Sequence, residues 1–304
     1  MLRSKLKRAW MYPFMLTEAG QDLYEDLTAK ILGTQTGMSR KWCRWFREHV
    51  ILLKRHGKVS FVGKRILLFQ PGWSLAPAIL SNFITDQSVV VIEDRRRTSS
   101  RYLQTAIRES LSVLPHLMRT CNTALDTYKL SKLKVCKTVE QLTEDFQIHY
   151  LIDRKLTLQS VEDSSIDLLL SMGRLEHLSP IVLNRVSNQF NRIIRQGGFG
   201  SHIVDHRDHL SYFDPKRHVF YHLTLDDCTW ERQSKGRQRF RNRLLGSDYG
   251  PIFNKTGFEV VANIHSHHRN DANGVDPKSF YGKFKNISQS DLEAAVSHFI
   301  LRRL

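Results

Sequence analysis

Apolar residues along the chain cluster in short runs separated by turn residues, and the period of each run assigns an element. Ile66–Phe69, Val89–Ile92 and Leu168–Leu170, with Ser171 following, are continuous apolar stretches of strand length, as expected of strands buried on both faces. Residues 146–152 alternate like a further strand, and 199–204 and 258–264 complete the set. Between them lie helical spacings. Ser74 offers a cap for a helix from Leu75 to about Phe83, a helix from Ser100 to Val113 is expected to break at Pro115, and 116–145 read as a second helical region. Pro180 opens a helix that Gly197 and Gly198 end, another spans about 247–255, and a last helix is expected from Asp291 to Arg303 behind Ser288 or Ser290. In the first 60 residues, Leu23, Leu27 and Ile31, then Trp42, Trp45, Phe46 and Val50, recur at helical spacing, and the tryptophans are assigned to the core. The alternation of strands and helices predicts an α/β fold with a mostly parallel sheet and helices on both faces. Residues 1–60 are read as a helical extension and 61–304 as one α/β domain.

One βαβ unit is rich in chemistry. After the first strand comes the turn Gln70-Pro71-Gly72, and the second strand ends in Glu93 and Asp94. A glycine at the first strand's end lets a ligand lie against the backbone. A carboxylate about 20 residues on can accept hydrogen bonds from ribose hydroxyls. Equally, such a unit can stand without a ligand, its glycine serving only the turn.

Two later stretches place titratable groups at strand ends. Ser171 to His177 includes Glu176 and His177 and should lie on the rim of the sheet, where His177 could orient a substrate or shuttle a proton. Glu176 could instead cap the next helix. The expected fifth strand ends in Asp205, His206, Arg207, Asp208 and His209, with Tyr212 and Phe213 following, a tract too polar to be explained by packing. Histidines beside carboxylates also raise a metal site, but adjacent strand-tip residues point apart, and no metal is assigned.

Composition adds limits. The formal net charge is +16, from 46 Lys and Arg against 30 Asp and Glu. A surface of this kind attracts polyanions, but the basic residues are scattered and mark no dedicated nucleic-acid groove. The four cysteines have neither metal-ligand nor disulfide spacing, which fits a reducing compartment. The short apolar run 9–16 lacks a cleavage site and no stretch reaches transmembrane length, so a cytoplasmic location is expected.

The segment 66–93 resembles the cofactor-binding half of class I S-adenosylmethionine-dependent methyltransferases. Those proteins usually carry an acid and two or three glycines at this turn; here Leu68 stands in the acid's place, Gln70 in the first glycine's, and Gly72 remains. The Leu-Glu-His triplet 175–177, Asp205-x-Arg207-Asp208-His209, Trp230, Asn242-Arg243-Leu244 and Ser247-Asp248-Tyr249 are similar to a bacterial subgroup often encoded with surface-polysaccharide and glycan-assembly genes. The resemblance covers about residues 60–304 and implies a Rossmann-like fold, S-adenosylmethionine as cofactor, and a small-molecule or glycan acceptor. It implies that Gly72 and Glu93 hold the cofactor, that Ser171 and Glu176 line the transfer site beside it, and that His177, Asp208 and His209 are catalytic. The basic tract 235–243 could serve an acidic acceptor, although such a tract is more commonly a solvated basic loop. The degenerate turn keeps a second reading open, a non-catalytic binding or assembly protein of the same fold. The charge raises a third, a nucleic-acid methyltransferase, although no Asn/Asp-Pro-Pro-Tyr/Phe motif is present.

Overall fold

The computed structural model describes Gly20, Leu23, residues 38–209, residue 211, and residues 217–234, 240–266 and 275–304. The expected helical positions Leu27 and Ile31, the aromatic pair Tyr212 and Phe213, and 235–239 of the basic tract lie outside the described residues.

Seven strands form one sheet in the order β3-β2-β1-β4-β5-β7-β6. They are β1 Ile66–Phe69, β2 Val89–Glu93, β3 Ile148–Ile152, β4 Ile166–Met172, β5 Ile194–Asp205, β6 Phe258–Ser266 and β7 Val296–Arg303. The first five run parallel, and β7 inserts antiparallel between β5 and β6. This is the Rossmann-like α/β sheet that the resemblance implies. The helices are α1 Met38–Gly57, α2 Ala76–Ile84, α3 Ser100–Cys121, α4 Thr127–Val135, α5 Val139–Asp145, α6 Pro180–Ile193, α7 Asp227–Ser234, α8 Gly246–Lys255 and α9 Gln289–Glu293. Among the described residues, no helix is long and apolar enough to cross a membrane.

Each face of the sheet has its own core. Ile66, Leu68, Val89, Val91, Leu168 and Leu170 pack with Trp42, Trp45 and Phe46 of α1, with α2, and with Leu103 and Ala106 of α3. Alternate residues Leu67, Phe69, Val90, Ile92 and Leu169 pack with Phe190 of α6 and Tyr249 and Phe253 of α8. Period-2 alternation therefore feeds two cores at once, which is why these strands read as unbroken apolar runs. α1 contributes Trp42, Trp45, Phe46, Val50 and Leu53 to the same core as the strands.

Two expectations are corrected. The helix expected to break at Pro115 continues to Cys121 with Pro115 inside it, and ends where Asn122 turns left-handed at φ +54°. The last helix expected over 291–303 is only α9, capped by Ser288 accepting from Asp291 N, followed by β7. Phe299 and Leu301 enter one core while Val296 and Ile300 enter the other. Burial on both faces removes the polar alternation that would have marked a strand.

Candidate active site at the carboxyl rim of the sheet

β1 pairs with β2 on one side and β4 on the other, so chain order reverses beside β1. Ligands in open α/β sheets bind at such a point, beyond the carboxyl ends of the strands. Phe69 stands opposite Ile92 and Ser171, which brings the Gln70–Gly72 turn, Glu93 and the segment after β4 onto one rim.

The turn itself is strained and well held. Gln70 adopts φ +52°, the left-handed region a glycine would enter freely, and its N–H donates to Ile92 O at 2.7 Å. Gly72 follows at φ +80°, and its N–H donates to Glu93 Oε1. Glu93 is fully buried, and its other oxygen accepts from Arg97 Nη1 at 2.8 Å. Arg97 also pairs with Asp94. Burial raises the Glu93 pKa, while Arg174, Arg97 and the Gly72 N–H work against the rise.

Arg174 lies directly over this cradle. Its Nε donates to Gln70 O at 2.6 Å, and a Cβ placed on Gly72 would meet its Nη2 at 2.5 Å. The face that glycine leaves open is covered by a guanidinium of this chain. Arg174 follows Gly173, at φ +64°, in the turn that leaves β4. The turn and the buried carboxylate fit a ribose-bearing cofactor; the guanidinium must leave before one can enter.

The second half of the rim is a mesh of acids, histidines and arginines. Leu175–His177 form a single 3-10 turn, fixed by Asn242: its N–H donates to Glu176 O at 3.0 Å, and its Nδ2 donates to Leu175 O and Leu178 O. This gives the Asn-Arg-Leu stretch a structural job, and Arg243 beside it pairs with Asp227. Ser247 donates to Asp291 and Asp248 caps its own helix through Leu245 N. Asp205 grips Arg207 in a bidentate pair, both bonds at 2.9 Å.

Of the expected site residues, Gly72 and Glu93 are brought together. His177 and His209 also meet, their rings 5.6 Å apart with Arg241 Nη2 between them, 3.3 Å from His177 Nε2 and bonded to His209 Nδ1. His177 Nδ1 lies 3.1 Å from Phe240 O, which can only accept, so Nδ1 carries the proton and Nε2 receives from Arg241. Burial, then Arg241 and Arg174, holds the His177 pKa well below its usual range. Asp208 pairs with Arg217 at 3.4 Å. Ser171 is placed differently from expectation: its hydroxyl is engaged with His202 Nδ1 at 2.8 Å, on a ring stacked between Phe190 and Phe253. Glu176 is buried, neither of its oxygens has a hydrogen-bond partner, and its nearest cation is Arg241 Nη1 at 3.8 Å. Burial raises its pKa to about 7, with Arg241 opposing. A small cavity of about 10 Å³, room for one water, is lined by Glu176, Asp205, His206, His222 and Arg241. Among the described residues, no three His, Cys, Asp or Glu side chains converge on a metal-sized point.

Sequence reasoning missed Arg97, Arg174 and Arg241. Arg97 was within reach, four residues after Glu93. Arg174 and Arg241 are joined to their partners only by the fold.

No protein-family model matches the chain, and no curated protein sequence matches it. Solved structures do match. A phosphoethanolamine N-methyltransferase 2 of Haemonchus contortus, in complex with phosphomonomethylethanolamine and S-adenosylhomocysteine, is 16% identical at a TM-score of 0.45; the match covers 92% of this chain and 59% of that one. S-adenosylmethionine-dependent methyltransferases from Methanosarcina mazei (11% identity, TM-score 0.42, 79% of this chain and 92% of that one) and Aquifex aeolicus (9%, 0.40, 83% and 88%) are also similar. Likeness at this level says nothing about chemistry, which has to come from the rim itself.

Proposed function

We propose that the chain is an S-adenosylmethionine-dependent methyltransferase acting on a small-molecule or glycan acceptor. One observation carries the reading: the buried Glu93 carboxylate at the tip of β2 reaches across to the backbone N–H of Gly72 at the tip of β1, beside the point where chain order reverses. When bound, S-adenosylmethionine would supply a methyl group on a sulfonium, for in-line displacement that needs positioning more than covalent catalysis. Glu93 would hold ribose hydroxyls, Gly72 would allow close approach, and Ser171 would support the floor through His202. Glu176 would line the transfer point. His177, Asp208 and His209 would border the acceptor, with His209 orienting it and Asp208 keeping the following segment in place through Arg217.

A second reading is favoured by Arg174. With its guanidinium over Gly72 and both Glu93 oxygens already accepting hydrogen bonds, the cradle is complete without a ligand. The chain would then be a non-catalytic binding or assembly protein. Hydrogen exchange separates the two. Addition of S-adenosylmethionine should slow amide exchange in residues 70–74 and 93–97. Unchanged exchange there at millimolar cofactor would support the second reading.

A further inference from the structure

The sheet face that carries Leu67, Val90 and Leu169 is covered at the β3 edge by the non-helical segment 153–165, whose Leu156, Leu158 and Val161 join the core of that face. Segment and sheet leave a cavity of about 170 Å³ floored by Val90, Leu151 and Val161. It opens to solvent, since His149, Ser160 and Glu162 on its wall are exposed. Val90 pairs with His149 in the β2–β3 register, so the two side chains share this face. Arg65 precedes β1 and Val90 stands second in β2, which puts the cavity at the opposite end of the strands from the Gly72–Glu93 cradle.

The wall is firmly built. Arg192 of α6 donates to Leu158 O at 2.8 Å and to Val161 O at 3.0 Å, and Asp153 accepts from Leu158 N at 2.6 Å. Leu156 and Leu158 are held at φ +51° and +57°, left-handed values that a bulky residue keeps only where its surroundings impose them.

Two opposite charges line this cavity, and neither is used. Asp167 accepts from the Arg65 backbone N–H at 2.9 Å, which fixes the position of Arg65. Among the described residues its guanidinium has no hydrogen-bond or ion-pair partner; Nε is enclosed, while the two terminal nitrogens stay accessible. The Glu162 carboxylate also has no partner among the described residues, Ser165 Oγ donating only to the Glu162 backbone oxygen. A lone cation would suit any small anion. A cation and an acid standing apart over one apolar floor suit a zwitterion that carries its own apolar group.

We propose that the cavity binds a free α-amino acid with a branched aliphatic side chain of leucine size. Its carboxylate accepts from Arg65, its ammonium donates to Glu162, and its side chain rests on Val90, Leu151 and Val161. Both polar contacts are charge-assisted, the stronger class. A cavity of about 150 Å³ holds a benzene ring, so this one has room for the side chain while the charged end stays at the exposed mouth. The site is separate from the rim and does not rest on the methyl-transfer reading.

The test is calorimetry and saturation-transfer NMR on the full chain with L-leucine, L-leucinamide, isocaproate and L-aspartate. L-Leucine is expected to bind saturably, and each of the others about tenfold more weakly or worse. R65M should weaken L-leucine about tenfold or more. E162Q, at an exposed position, should lower L-leucine to the level of isocaproate and leave isocaproate unchanged, a pattern that loss of the fold would not give. No saturable binding of L-leucine, isocaproate binding as tightly as L-leucine in the wild type, equal binding of all four probes, or full L-leucine affinity in R65M or E162Q would overturn the site.

Discussion

Glu176→Gln isolates the buried acid of the rim, and its effect can be worked out in advance. The glutamate pKa rises from 4.5 to about 7 on folding, with burial as the main cause. The folded state therefore holds this proton more tightly than the unfolded state does. The resulting stability is present in full below pH 4.5 and is lost as pH rises through about 7. A shift of that size corresponds to roughly 3 kcal/mol at 1.36 kcal/mol per unit, of which roughly 2 to 3 kcal/mol falls between pH 5 and pH 8. Glutamine is nearly isosteric and does not titrate. The difference in unfolding free energy, E176Q minus wild type, should thus grow by roughly 2 to 3 kcal/mol from pH 5 to pH 8. Urea denaturation of both proteins at several pH values measures it. The difference is essential, because the buried histidines pull the wild-type curve the other way in the acid range. A gap that stays flat, or that narrows as pH rises, would refute the placement of Glu176 as a buried acid whose desolvation outweighs its pairing with Arg241.

Three further outcomes follow from the same geometry. Arg174→Met should tighten S-adenosylmethionine binding about tenfold, because a charge-assisted contact of roughly 1.4 kcal/mol no longer has to open first; weaker binding by calorimetry would make Arg174 a cofactor ligand instead. Glu93→Ala should weaken cofactor binding more than tenfold, whereas His209→Ala should lower turnover and leave cofactor affinity within about twofold; a reversed pattern in paired binding and kinetic assays would exchange the two roles. Burial holds the pKa of His202 and His298 at about 3. Their stability is present above pH 6.5 and lost as pH falls from there towards 3, so His202→Phe should unfold over a shallower acid transition than wild type, followed by circular dichroism; an unchanged slope would mean that His202 is not buried neutral.

The sheet was legible where local pattern and tertiary role agree. Ile66–Phe69 and Val89–Glu93 read as buried strands because their apolar runs are short and bounded by turn residues. β7 was not, because the residues before it, Leu292, Ala294 and Ala295, suit a helix, and only its insertion between β5 and β6 makes an extended chain favourable. Glu93 and His177 could be picked out as titratable groups at strand ends. The positions of Arg174 and Arg241 could not, since the contacts from Arg174 to Gln70 and from Arg241 to His177 span 104 and 64 residues and leave no periodic trace. The charge of +16 drew attention to basic runs, while the arginines that matter on the rim are partly buried and paired with acids.

The measurement that bears most directly on the account is calorimetric titration of the wild-type protein with S-adenosylmethionine, repeated with Glu93→Ala. Saturable binding with a dissociation constant on the order of micromolar, lost in E93A, is the predicted result. No heat of binding up to millimolar cofactor, or binding that survives in E93A, would contradict the assignment of the Gly72–Glu93 cradle.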